Sequence, residues 1–394
     1  MLLNLYNMGT GLIIGTLSAK YRGIAAGGIA THIEGLINSL HKKRIRTYIC
    51  YHKPFGVKHA EVIGSSKTAW TLAVLKGLFL LSFIRAHHWG KYSFKTNLFI
   101  AYYYATLRCL FKRMSPDFIH VHSLYNPAPI ALRYLKYQKN IIVTDHGFWL
   151  SPDYMNDRKS YLLQENFAIA TKVVYISDVA FRKHEQAKLG DLKKLVKISN
   201  PTSFMNYPLR DGSALKRDKY VLIFNGYKES LTTKGLEFLV NAINGDGYLC
   251  DNLRLLIICN DEASNYLMHR KWNFEYQVFG RTKFEDILNM YVRSDILVVP
   301  SRSESFGLVY TEALAVGIPI VGYHEIVEEL QRTLGQYIGA GIDISNEQHA
   351  DLVRKIKDVL HHPFDRNAVR KSLEANYEWE NAIERFLRLY HLGK

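Results

Sequence analysis

The sequence predicts an α/β chain of two doubly wound domains, on three observations. Short apolar runs bounded by turn residues recur along its 394 residues, separated by stretches with helical spacing. That is the pattern of buried parallel strands joined by crossover helices. The length is enough for two full cores. A polar stretch at 204–218, containing Pro208 and Gly212, reads as the linker between them.

In the first half, residues 12–17 form an apolar run suited to a first strand. Gly27 and Gly28 then precede an amphipathic helix in which Ile29, Ile33, Leu36, Ile37 and Leu40 share a face. A glycine pair before a helix is either a phosphate or sugar cradle or plain turn punctuation. Residues 47–51 make a second strand, and helical segments follow at about 70–87 and 96–114. The longest apolar stretch, 69–84, is broken by Lys76 and Gly77. It falls short of the roughly 18–20 residues of a spanning helix, and reads as a core helix or a membrane-surface helix. Residues 116–122 (PDFIHVH) read as turn and strand, and 140–144 repeat the pattern. His146 thereby falls at a strand's C-terminal end, the edge where open α/β sheets bind ligands. Residues 172–177 add a further strand.

In the second half, strands are expected at 220–224 and 253–259, and a short apolar run at 296–299 stops at Pro300. Three serines and Arg302 follow, then a helical pattern over about 306–316 closed by Gly317 and Pro319. Residues 318–321 begin the next strand. At that helix start the amides of Phe306, Gly307 and Leu308 have no helical acceptor, so they can hold an anion or sugar hydroxyls. Glu304 lies in the loop and Glu312 on the helix, which sets two carboxylates about one crevice. Taken singly, such glutamates read as a loop charge and a solvated helix position.

Hydrophobic content of 48% and charged content of 22% argue against disorder. The four cysteines form no CxxC pair, so neither a zinc site nor a disulfide framework is indicated. No cleavable leader is evident in the first residues. Charge is uneven. Residues 1–210 carry 29 Lys and Arg against 10 Asp and Glu, within a net charge of +15 for the chain. An anionic partner for the first half follows, and with no nucleic-acid motif present nucleic acid ranks behind lipid headgroups or a phosphate-bearing acceptor.

Glu304, Phe306, Gly307, Leu308 and Glu312, followed by Ala313, Leu314, Ala315, Gly317, Pro319 and Val321, resemble the E-x7-E signature of glycosyltransferase family four. The resemblance implies a retaining enzyme of GT-B fold, two Rossmann-like domains facing each other across a cleft. It places an acceptor-binding domain at 1–203, also packed by a C-terminal helix at 376–394, a linker at 204–218 and a nucleotide-sugar domain at 219–375. Gly27, Gly28 and His32 are similar to the family's first loop, and 116–122 to its "PDvvHaH" strand, which puts His122 at the sheet edge. His146 matches a histidine that contacts the donor sugar. Gly226, Lys234 and Gly235 match the "GR…KG" loop that grips pyrophosphate, but Tyr227 stands where the arginine belongs, with Lys228 one place on. Residues 278–281 match the segment bordering the base.

The roles implied are sugar positioning and charge stabilisation by His146, Glu304 and Lys234. Gly27, Gly28, Gly226, Lys228, Lys234, Phe306, Gly307, Leu308 and Glu312 would bind the donor, with Glu312 on the ribose. No two aspartates are spaced D-x-D, so no metal and no cofactor are expected beyond the nucleotide sugar as co-substrate, a UDP-sugar ahead of a GDP-sugar. The family's products suggest hexosyl or N-acetylhexosaminyl transfer to a saccharide or lipid-linked saccharide acceptor. Bacterial cell-surface polysaccharide synthesis, at the cytoplasmic face of the plasma membrane, is the setting expected. The alternative is a degenerate GT-B protein that binds sugar nucleotide or a partner enzyme without turnover.

Overall fold

The computed structural model describes residues 9–15, 28–50, 59–63, 67–82, 91–137, 139–147, 157–202, 204–210, 218–227 and 230–392. They fall into two compact units, Met1–Asn200 with Trp379–Lys394, and Pro201–Glu378. Each holds one parallel sheet.

The first unit has seven strands: β1 (Thr10–Ile14), β2 (Arg46–Cys50), β3 (Glu61–Ile63), β4 (Phe118–His122), β5 (Asn140–Asp145), β6 (Lys172–Tyr175) and β7 (Leu195–Lys197). They lie in the order β3-β2-β1-β4-β5-β6-β7, all parallel. Alternate residues face opposite layers, so neighbours in sequence enter different cores. Leu12, Ile14 and Val121 pack beneath the tyrosine-rich Phe94–Phe111 helix. Ile13, Phe118 and Ile142 pack beneath the Gly28–Lys42 and Trp379–Leu389 helices. The last helix is therefore part of this core, and Tyr390 stacks on Phe118 at 3.7 Å between ring centres.

β1 begins two residues before the expected run, because the Thr10 amide is held by the Asp117 carboxylate at 2.8 Å. Residues 16 and 17 of that run lie outside the described residues. The Lys67–Ser82 helix of the apolar stretch packs one side into the core, as the core-helix reading expects, and leaves its other side exposed. Val74 and Leu81 are buried, and the backbone at Gly77 crosses so near the Phe94–Phe111 helix that a β-carbon there would stand 1.9 Å from the Ala101 carbonyl oxygen. On its other side Leu72, Leu75 and Phe79 are exposed. No described helix is long and apolar enough to cross a membrane.

The second unit has six parallel strands: β8 (Tyr220–Asn225), β9 (Leu253–Ile258), β10 (Glu275–Phe279), β11 (Ile296–Val299), β12 (Ile320–Tyr323) and β13 (Gly339–Ile342). Their order is β10-β9-β8-β11-β12-β13. β11 has the bounds its apolar run predicted, with all four residues buried. β12 starts two residues later than expected. The helix expected at 306–316 spans Leu308–Ala315, because Gly307 adopts φ +69° and caps it. Phe204, expected in a polar linker, is instead buried in this unit, edge-on to Phe284 and Tyr291.

Both sheets reverse strand order beside their first strand. The switch falls between β1 and β4 in one and between β8 and β11 in the other. At such points the loops from the two strand ends diverge to opposite faces and leave a crevice.

Candidate active site

In the second unit the two loops flanking the switch point are 226–235, after β8, and 300–307, after β11. They are bound to each other. The Arg302 amide donates to the Thr233 carbonyl at 2.9 Å. Gly235 sits at φ +76°, where a β-carbon would come within 2.1 Å of the Pro300 carbonyl oxygen, so only glycine permits this approach. The approach sets Lys234 against Glu304, and their side chains form an ion pair. The Ser301 hydroxyl donates to the same carboxylate oxygen at 3.0 Å. Glu304 is 8% exposed and Lys234 is partly accessible. Ser230, wholly buried, ties the first loop by donating to the carbonyls of Gly226 and Tyr227.

Gly307 caps the Leu308–Ala315 helix with no side-chain acceptor for its amides. Its left-handed backbone is fixed from beneath, since a β-carbon would stand 2.4 Å from the Tyr310 ring. Tyr310 is fully buried; its hydroxyl donates to the Val299 carbonyl at 2.8 Å and accepts from the Tyr323 amide at 3.0 Å. One side chain thus joins β11, β12 and the helix. Phe306, Gly307 and Leu308 thereby lie at the helix start expected for them.

One turn on, Glu312 has no hydrogen-bond partner among the described residues. Surrounding protein strips water from its carboxyl and raises it to about 7, while part of the side chain stays accessible. The buried Tyr291 hydroxyl, which accepts from Asn225 at 3.1 Å, lies within electrostatic reach of it. The structure thus joins Lys234, Glu304 and Gly226, and separates Glu312 from Glu304 by role: one is paired, the other is open. Gly27 and Lys228 lie outside the described residues. Gly28 is exposed at the first turn of its helix.

His146 belongs to the first unit and stands past β5, beside that sheet's switch point. His122 Nδ1 and His146 Nε2 are 3.3 Å apart. The His32 ring lies edge-on to both, 5.5 and 5.2 Å between centres. His120 bridges the Tyr390 hydroxyl at 2.6 Å and the Thr144 hydroxyl at 2.7 Å. Burial pushes His146 down to about 4 and His120 to about 3, and holds His32 and His122 well below the usual range. All four are neutral at pH 7, so His146 can exchange a hydrogen bond with a hydroxyl but brings no charge. Among the described residues no three His, Cys, Asp or Glu converge as metal ligands. Asp145, 3.2 Å from His184, is held below its ordinary range by that imidazole against the opposing effect of burial.

Sequence reasoning missed Ser301, Tyr310, Tyr291 and Asn225. None has a local signature; each acts through a partner brought up by the fold.

Two family descriptions match this architecture. Residues 26–201 match "Glycosyltransferase Family 4" and residues 209–376 match "Glycosyl transferases group 1". A D-inositol 3-phosphate glycosyltransferase of Catenulispora acidiphila is 30% identical over 192 residues, 45% of this chain and 45% of that protein. The first curated relatives are matched over only 35–45% of their own length. Among solved structures, a sucrose-phosphate synthase from Thermosynechococcus elongatus superposes with a TM-score of 0.70 at 15% identity, over 97% of this chain and 98% of that one. HepE of Anabaena, in complex with UDP-glucose, gives 0.66 at 12% identity over 96% and 98%. At those identities the structures speak to the fold alone, and it is the GT-B pair of Rossmann-like domains. With one family description on each unit and the signature seated at the second sheet's switch point, the chain belongs to glycosyltransferase family four.

Proposed function

We propose that the protein is a retaining, metal-independent glycosyltransferase acting on a nucleotide sugar, a UDP-sugar ahead of a GDP-sugar. It moves a hexosyl or N-acetylhexosaminyl group to a saccharide or lipid-linked saccharide acceptor in cell-surface polysaccharide synthesis, at an anionic membrane surface. The observation that carries this reading is the pairing of Lys234 with Glu304 beside a glycine-capped helix start that has no side-chain acceptor for its amides, one turn from Glu312, which has no hydrogen-bond partner among the described residues. A diphosphate needs cations and amides, a sugar needs hydroxyl acceptors, and a ribose needs a two-oxygen acceptor. The crevice offers all three. The UDP-glucose bound to HepE is consistent with the donor class.

In this mechanism the bond between the sugar's anomeric carbon and the diphosphate breaks, and the electron pair leaves with the phosphate. Lys234 and the amides of Phe306, Gly307 and Leu308 meet that charge with oriented dipoles. Glu304 accepts from the sugar's hydroxyls and keeps Lys234 in place, and Glu312 accepts from the ribose. His146, as a neutral imidazole, is suited to hydrogen-bond a sugar hydroxyl, the role the family resemblance gives it. The acceptor hydroxyl attacks from the face the phosphate leaves and gives its proton to that phosphate, so configuration is retained.

Radiolabelled UDP- and GDP-sugars, offered with and without membrane extract, test the reading. Label should pass to an extractable product, and Glu304→Ala should lower turnover at saturating donor. Nucleotide binding without transfer would favour the degenerate alternative, which draws on Tyr227 standing in place of the family arginine.

A further inference from the structure

The loop after β8 carries Tyr227 where a diphosphate-gripping arginine is expected, yet the structure brings an arginine to that place from another strand. β10 ends at Phe279, and the guanidinium carbon of Arg281 stands 5.7 Å from the centre of the Tyr227 ring. The two meet across the intervening β9 because the three strand ends run level. The Gly226 amide donates to the Ile258 carbonyl at 3.1 Å, and the Cys259 amide donates to the Phe279 carbonyl at 3.0 Å. Tyr227 is 36% exposed and Arg281 is exposed, so both face the ligand-binding edge of the sheet. Among the described residues nothing lies within 4 Å of where a β-carbon would stand on Gly280, the residue before Arg281.

We infer that Arg281 supplies the diphosphate cation that position 227 no longer carries, and that Tyr227 is a positioning residue whose ring face holds the guanidinium there. The inference rests on the nucleotide-sugar reading above. Charge demand argues for it. A diphosphate brings at least two negative charges and gains more as the glycosidic bond breaks, whereas Lys234 is already partly neutralised by Glu304. Geometry argues for it too. A guanidinium fork grips two phosphate oxygens at once, and an aromatic face orients the fork without competing for its donors.

The test is calorimetric titration with UDP, or GDP if the wild type prefers it, beside NMR titration with the matching nucleoside. Arg281→Ala should weaken diphosphate binding by about tenfold or more and leave the nucleoside unchanged. Tyr227→Phe, which keeps the ring, should bind as wild type does, whereas Tyr227→Leu should lose affinity for the diphosphate alone. Tyr227→Arg placed in the Arg281→Ala background should recover most of the loss. Equal losses for nucleoside and diphosphate would assign Arg281 to the base and overturn the inference. So would a silent Arg281→Ala beside a Lys228→Ala that loses tenfold. Wild-type protein that binds no nucleoside diphosphate would overturn the donor reading itself, and would show before any variant is made.

Discussion

Glu312 is the side chain whose chemistry is set most plainly by its surroundings. Ionised, it accepts two hydroxyl hydrogen bonds; neutral, it gives up one of those sites to its own proton. Burial holds the balance near pH 7. Nucleotide affinity should therefore rise between about pH 6 and pH 8 and then level off, and Glu312→Gln should be weaker and flat over that range. Calorimetry across the range checks both, and a flat wild-type profile would remove Glu312 from the ribose. Stability runs the opposite way. The raised carboxyl favours the fold fully below its ordinary value of 4.5, and that contribution is lost as pH rises through about 7. The carboxylate was legible from sequence, because the signature spacing singles it out. Its openness was not, since that depends on Tyr291 of the Phe284–Val292 helix pairing with Asn225 at the end of β8. The Lys234–Glu304 pair was equally hidden: the residues are 70 apart, and their meeting depends on one backbone bond from Arg302 to Thr233.

At the scale of elements, the loop after β8 is held by how closely it can approach β11. Gly235→Ala should lose stability twice over, from left-handed backbone strain of about 1–2 kcal/mol and from collision with the Pro300 carbonyl. Gly335→Ala separates the two, since Gly335 has φ +62° with no described residue within 4 Å of its β-position. Urea midpoints should fall in both, and further in Gly235→Ala, which should also lose donor affinity as Lys234 moves; equal midpoints would mean the close approach is not rigid. In the first unit the histidines make the same kind of joint, tying β4, β5, the Gly28–Lys42 helix and the last helix. His146 at about 4 and His120 at about 3 take up protons only after the unfolded chain has done so near 6.5. Their stabilisation is thus complete above 6.5 and falls as pH drops toward 4, by at most about 1.4 kcal/mol per pH unit for each. The urea midpoint should decline from pH 7 to pH 5, and a constant midpoint would show the cluster to be solvated. Strand positions were legible wherever a buried run ended at a turn residue, as at Pro300. Boundaries moved where a backbone contact intervened, as Gly307 does at its helix and Asp117 at β1.

At the scale of the whole molecule, charge and apolar exposure are concentrated in the same half. Residues 1–210 hold 29 of the 51 Lys and Arg but only 10 of the 36 Asp and Glu. The Lys67–Ser82 helix of that half exposes Leu72 at 63%, Leu75 at 59% and Phe79 at 64%, with the exposed Lys76 among them. Positions 72, 75, 76 and 79 fall on one face by helical spacing. The sequence showed the apolar stretch without saying which side of it the core would claim; the crossing at Gly77 decides that, and leaves this stripe outward. An apolar stripe with basic charge nearby suits the surface of an anionic bilayer, where each Lys or Arg contributes about 1 kcal/mol within a screening length and the side chains enter the headgroup boundary. The protein should therefore sediment with anionic vesicles and not with neutral ones, and salt should weaken the association. Replacing Leu72, Leu75 and Phe79 together by serine should reduce binding about tenfold or more at low salt, because charge alone would remain. Equal sedimentation with neutral and anionic vesicles would discard the electrostatic part, and an unaffected triple variant would discard the helix as the contact.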